Sequence, residues 1–171
     1  MSSSAPRWPG QTVLTPVFLI GLGFILFQFW ILFEPQQPLF ARPMHLSIAL
    51  VLLFLCKPLA ATRVPRAARL AIDGVLVAAS VGVGLYYLIE FDRLTTRMEN
   101  VSPILPIDIL AGTTLVALLL EGARRSVGWI LVAVLGVFIA YAFWGDTLPG
   151  WLSFRGFDID EAIEITTMTT A

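Results

Sequence analysis

The chain has 171 residues, 57% of them hydrophobic and 13% charged, with a mean hydropathy of +0.84, whereas an ordinary soluble domain carries about 25% charged residues. This is the composition of an integral membrane protein, and at roughly 20 apolar residues per span it leaves room for about five spans and no soluble domain. A net charge of -1 with no basic stripe outside the turns excludes nucleic acid as a partner, and a lone Cys56 excludes an intrachain disulfide.

Residues 1–14 are polar and rich in Ser, Pro and Gly, with Arg7 as their charge and Trp8 suited to a headgroup interface; they read as a cytoplasmic tail. A first span is expected over 15–33. It is too long for a signal peptide, and no small-residue cleavage site follows in Glu34-Pro35-Gln36-Gln37-Pro38, so it should remain as an anchor. The second span, 44–60, is entered through Arg42-Pro43 and left through Lys57-Pro58, with proline marking both boundaries. His45 near its outer end is expected to bond a neighbouring helix, because a metal site needs several ligands and the chain has no second histidine.

Between positions 57 and 69 lie Lys57, Arg63, Arg66 and Arg69 with no acid, the pattern of a cytoplasmic loop. The third span, 70–89, carries Asp73 one turn inside, four residues after Arg69, a spacing at which the two could pair. Gly74, Ala78 and Gly82 recur every four residues, a small-residue stripe that lets another helix approach; that side is expected to be the packed one. A mixed loop with Glu90, Asp92, Arg93, Arg97 and Glu99 follows and belongs outside. The fourth span, 104–120, has Asp108 and Gly112 on one face. Asp108 is either a functional intramembrane acid or a group near the outer end that reaches water or caps a neighbouring helix, and the sequence leaves both open.

The cluster Glu121-Gly122-Ala123-Arg124-Arg125 reads as a hinge between the fourth span and a fifth over 127–144. Glu121 lies three and four residues before the arginines, on the favoured N-terminal side for pairing. Two adjacent arginines place this turn at a water interface, and by the charge rule that interface is cytoplasmic. Tyr141 and Trp144 form an aromatic belt at the far end. Residues 151–171 alternate Ile159, Ile163 and Ile165 with Asp160, Glu161 and Glu164, and are expected to form a short amphipathic helix along the interface, opened by an Asp158–Glu161 capping pattern. The fold class is therefore an all-α helical bundle of five transmembrane helices, spanning 15–150, plus that interfacial helix. Seven basic residues on the inside (Arg7, Lys57, Arg63, Arg66, Arg69, Arg124, Arg125) against four outside (Arg42, Arg93, Arg97, Arg155) put the N-terminus in the cytoplasm and the C-terminus across the membrane.

No constellation suggests an enzyme. Ser80 and Ser126 have no base nearby in sequence, and neither a phosphate loop nor a ligand cluster is present, so no catalytic residue, cofactor or metal is assigned.

The stretch Leu118-Leu119-Leu120-Glu121-Gly122-Ala123-Arg124-Arg125-Ser126-Val127-Gly128-Trp129 resembles the membrane component of tripartite ATP-independent periplasmic (TRAP) transporters of the TAXI type. The resemblance continues through Phe138, Tyr141, Gly145, Pro149-Gly150 and Arg155-Gly156. Upstream it takes in Arg42 with His45-Leu46 and Ala49, Asp73 with Tyr86-Tyr87, and Ile107-Asp108 with Gly112, so it covers residues 40–166. It implies the small membrane module of a secondary transporter in a bacterial inner membrane. In such a system sodium- or proton-coupled uptake of organic acids or related solutes occurs in a large permease, fed by a periplasmic binding protein and braced by the small module. Family members usually run on through a Gly-rich stretch where this chain ends at Thr169-Thr170-Ala171, so the family's solute and ion positions have no counterpart here. Glu121, Arg124, Arg125, Asp73, Arg69, Asp108, Gly74, Ala78 and Gly82 are thus candidates for structure and assembly. The competing expectation is a self-contained oligomeric transporter or channel with Asp73 and Asp108 facing a pore.

Overall fold

The computed structural model describes residues 14–60, 65–96, 104–147, 149–150 and 153–168. Residues 1–13 of the expected tail, Arg63, Arg97, Glu99 and Thr169-Thr170-Ala171 lie outside them. The described chain forms helices and no strand: α1 (Leu14–Phe33), α2 (Pro38–Cys56), α3 (Arg66–Ile89), α4 (Phe91–Thr96), α5 (Pro106–Ser126), α6 (Trp129–Trp144) and α7 (Ile159–Ile163). It is an all-α bundle in which α1, α2, α3, α5 and α6 are each long and apolar enough to cross a membrane.

The core is a trio. Leu39, Leu50 and Phe54 of α2, Val83 and Tyr87 of α3, and Leu115 and Leu118 of α5 form one buried cluster, closed at one end by Leu94 of α4 and Ile163 of α7. Close approach of α2 and α3 is made at Gly84, where a Cβ would lie 2.9 Å from Ser47 Oγ, and of α2 and α5 at Gly122, where it would lie 3.2 Å from a Leu50 methyl. Helices α1 and α6 flank the trio. α1 leans on α2 through aromatic contacts, Phe27 and Trp30 at 6.3 and 6.2 Å from Phe40, and otherwise exposes Phe18, Leu22, Leu26 and Phe29. α6 buries none of its apolar side chains and exposes Ile130 to 84%. Such a coat of large apolar groups costs little in hydrocarbon and would be prohibitive in water.

Three expectations need correction. Helix α2 begins at Pro38, six residues before the expected start, and ends at Cys56, so Pro43 lies inside the helix. Pro38 suits the first turn, where no N–H is needed, and Pro43 is retained because its ring is buried in the core. Helix α5 runs on to Ser126, which makes Glu121–Arg125 its last helical turns rather than a hinge. The chain turns at Val127 and Gly128, both of whose N–H groups bond Ala123 O, and Gly128 adopts φ +110, where a side chain is strained. The stripe Gly74, Ala78 and Gly82 is exposed, with open space beside both glycines. The packed face of α3 carries Ser80, Val83, Gly84 and Tyr87 instead; a four-residue repeat drifts around a 3.6-residue helix, and the contact follows the row that meets Ser47.

The C-terminal segment packs back onto the bundle. Residues 153–158 double back over the end of α6, with Phe154 N–H bonded to Gly145 O and Phe157 N–H to Ala142 O, and Gly156 so close to Phe143 O that a Cβ would sit 2.6 Å from it. α7 and the π turn Glu164–Met168 then dock on α5. Ile163 is buried against Gly112, where a Cβ would meet its methyl at 2.5 Å, and Glu164 is buried as well.

Candidate functional site

The sequence-marked charges gather into two clamps at opposite ends of the trio. At the first, α5 ends in Glu121 followed by Arg124 and Arg125, the two arginines being cations that complement the partial negative charge of a helix C-terminus. Glu121 receives Arg124 at 2.6 Å and Arg125 at 2.7 Å, as the three- and four-residue spacings anticipate. Arg125 also crosses to α3, where its Nη1 lies 2.6 Å from Asp73 Oδ1, and donates to Lys57 O beyond α2 at 3.1 Å. Its side chain is only 5% exposed, and its guanidinium lies 5.1 Å from the centre of the Phe54 ring. One arginine thus ties the ends of α2, α3 and α5 together. Arg124 turns outward over Trp129 of α6 at 5.3 Å.

Asp73 completes this clamp with its second oxygen, which accepts the Leu59 N–H at 3.1 Å. The expected Arg69–Asp73 pair does not form; Arg69 Nε is buried without a hydrogen-bond partner. A basic residue four positions before an acid is the weaker order on a helix, and Arg125 offers Asp73 a partner across the packed interface.

At the opposite end Asp108 is fully enclosed. It occupies the third position of α5, where a carboxylate favours the helix N-terminus, and accepts the Leu105 N–H at 3.0 Å. Arg93 of α4 approaches it at 2.5 Å through Nη2 and 3.2 Å through Nη1, while the Tyr86 hydroxyl of α3 donates to the same carboxylate. Arg93 also holds Glu90 at 2.5 Å. Hydrogen bonds to Asp108 and then Glu90 hold the Arg93 guanidinium above its ordinary pKa. Asp108 neither reaches water nor caps a neighbouring helix: it is shielded from solvent and accepts the N-cap N–H of its own helix. Arg93 was hidden in a mixed loop, and its only sequence signal was the three-residue spacing from Glu90. Tyr86 had been marked only as part of a Tyr-Tyr pair.

His45 bonds Gln28 of α1, the neighbouring-helix contact expected of it. Among the described residues no three of His, Cys, Asp and Glu are grouped to hold a metal. The chain matches no family model, no curated protein and no solved structure. Its chemistry therefore rests on the two clamps: both neutralise charge, and neither presents a nucleophile–base pair.

Proposed function

We propose that this chain is the small membrane subunit of a TAXI-type TRAP secondary transporter. In this reading it braces a separate large permease that takes up organic acids or related solutes from a periplasmic binding protein, with the coupling sodium or proton handled in the permease. The observation that carries it is the Arg125 clamp. The Leu-Glu-x-x-Arg-Arg-x-x-Gly stretch on which the resemblance rests supplies Glu121, Arg124 and Arg125, and the last of these joins three helices while 5% exposed. A core fastened by buried ion pairs at both ends suits a support that must not yield when its partner moves. The basic surplus at the Arg125 end favours that end as cytoplasmic in a bacterial inner membrane, with the C-terminus periplasmic.

Asp73 and Asp108 are engaged by arginines of opposite ends, 2.6 and 2.5 Å away, rather than facing a common cavity, which weighs against a self-contained channel. Reconstitution separates the two ideas. Vesicles holding this chain alone should take up no solute, and uptake should appear only when a large permease and its binding protein are added. Solute movement by the purified chain unaided would overturn the proposal.

A further inference from the structure

The Arg125 end of the bundle holds more cations than its acids can match. Among the described residues there, Asp73 and Glu121 are the acids, and Arg124 and Arg125 engage both. Lys57, Arg66 and Arg69 remain. The backbone brings these three together: one nitrogen of Arg125, Nη1, holds the Lys57 carbonyl at 3.1 Å and Asp73 at 2.6 Å, and the Leu59 N–H reaches the other oxygen of Asp73 at 3.1 Å. The chain leaving α2 thus crosses the first turns of α3, where Arg66 opens the helix and Arg69 lies about 6 Å before Asp73 along the axis.

Two features say what complements this corner. Donors outnumber acceptors, for Arg69 Nε and Arg125 Nη2 are both buried without a hydrogen-bond partner, and the second belongs to a side chain only 5% exposed. The start of α3 also has no acid in its first turn and no side-chain cap, so Arg66 and Arg69 add their charge to the partial positive end of the helix dipole. An anion satisfies both. Its setting narrows the choice further: Arg66 is exposed at the end of a span, where an arginine reaches the headgroup layer, and one turn deeper on the same side Leu70 is 61% exposed, with open space beside Gly74 below it. A cationic rim above bare apolar helix suits a molecule with an anionic head and a hydrocarbon tail.

We infer that Lys57, Arg66 and Arg69 bind the phosphate group of an anionic phospholipid, whose acyl chain runs down α3 past Leu70 and Gly74. A guanidinium grips a phosphate with two parallel N–H donors, and Lys57, whose Nζ reaches the Ser126 carbonyl at 3.4 Å, keeps two further N–H groups. Basic pockets between spans are a recurrent seat for such headgroups. The inference requires only that the chain spans a membrane and is independent of any permease.

The full chain, purified in mild detergent, is titrated with phosphatidylglycerol, with zwitterionic phosphatidylcholine or with inorganic phosphate, and the bound molecules are counted by native mass spectrometry. One phosphatidylglycerol should be retained roughly ten-fold more tightly than phosphatidylcholine, and inorganic phosphate should not displace it. Arg66→Gln and Arg69→Gln should each weaken its retention about five-fold. Arg155→Gln removes an equal charge from a side chain 84% exposed at the opposite end, and should leave retention unchanged. Arg66 is exposed, so its variant keeps the fold even where Arg69→Gln does not. Equal losses in all three variants would reduce the contact to general charge attraction and overturn the inference, as would equal retention of the two lipids. Displacement by inorganic phosphate would make the site one for a soluble phosphate, and the lipid assignment would fall. A purified chain that retains no phosphatidylglycerol would leave the three cations to the carboxylates of a protein partner, which also overturns it.

Discussion

The two clamps solve the same electrostatic problem in opposite ways. At the Arg125 end the cation is enclosed, 5% exposed, and its carboxylates Asp73 and Glu121 are 13% and 24% exposed; at the Asp108 end the anion is sealed and Arg93 remains 32% exposed. In the first, the charged side chains Asp73, Glu121 and Arg125 all stand on long helices. The second depends on α4, six residues that hang between α3 and α5 and are anchored by Leu94. The contrast teaches that much the same residue types can bury the cation of an ion pair at one end of a bundle and the anion at the other.

Substitution can break this contrast. The largest effect is expected for Arg125→Ala, which leaves Asp73 without its arginine, removes one of the two that hold Glu121, and detaches the Lys57 carbonyl. Losing one member of a buried pair costs about 3–5 kcal/mol, to be read from equilibrium unfolding in detergent. Arg125→Lys should recover only a fraction, because a point charge cannot serve Asp73, Glu121 and Lys57 O together. Should Arg125→Ala unfold like the parent, the three-helix tie is wrong. Asp108→Asn is expected to cost less, about 1–3 kcal/mol by the same measurement. Its amide oxygen can still accept from Leu105 N–H, and Arg93 keeps Glu90 and access to solvent. An Asp108→Asn variant as unstable as Arg125→Ala would show the two ends to be equally costly to break.

The smallest effects come from a matched pair of glycines. Gly112→Ala drives a methyl into Ile163 and should cost about 1–3 kcal/mol by overpacking, seen as faster proteolysis within 153–168. Gly82→Ala, with nothing within 4 Å, should be neutral or stabilise the isolated chain by up to about 1 kcal/mol through helix propensity. Equal protease sensitivity in the two variants would mean that the C-terminal segment is not docked on α5.

Much of this was legible in the sequence because membrane spans announce themselves by length and apolarity. The Glu121–Arg124–Arg125 group was legible because its pairing is local, fixed by the helical repeat. The misplaced features depended on distant residues. Arg69 is near enough to Asp73 to pair, but spacing permits a contact without enforcing it, and Arg125, 52 residues away, took the position. The stripe of Gly74, Ala78 and Gly82 looks the same whether it meets a helix or open space. What settles the packed face is the fit of Gly84 to Ser47, which no single helix can reveal. Asp108 drew attention as a charge in an apolar run, but its partner sat on α4, too short to be anticipated from periodicity.

The stretch 153–158 has a bearing on where water must stop. Irregular backbone is normally kept out of the acyl region because its donors and acceptors would go unsatisfied. Here three of six N–H groups, those of Ser153, Phe154 and Phe157, are already spent on Gly150, Gly145 and Ala142 carbonyls. Like a stopper seated in the mouth of α6, the segment caps carbonyls that a bare helix end would leave to solvent. The hydrated boundary on this flank can therefore sit above the last turn of α6 instead of dipping to meet it.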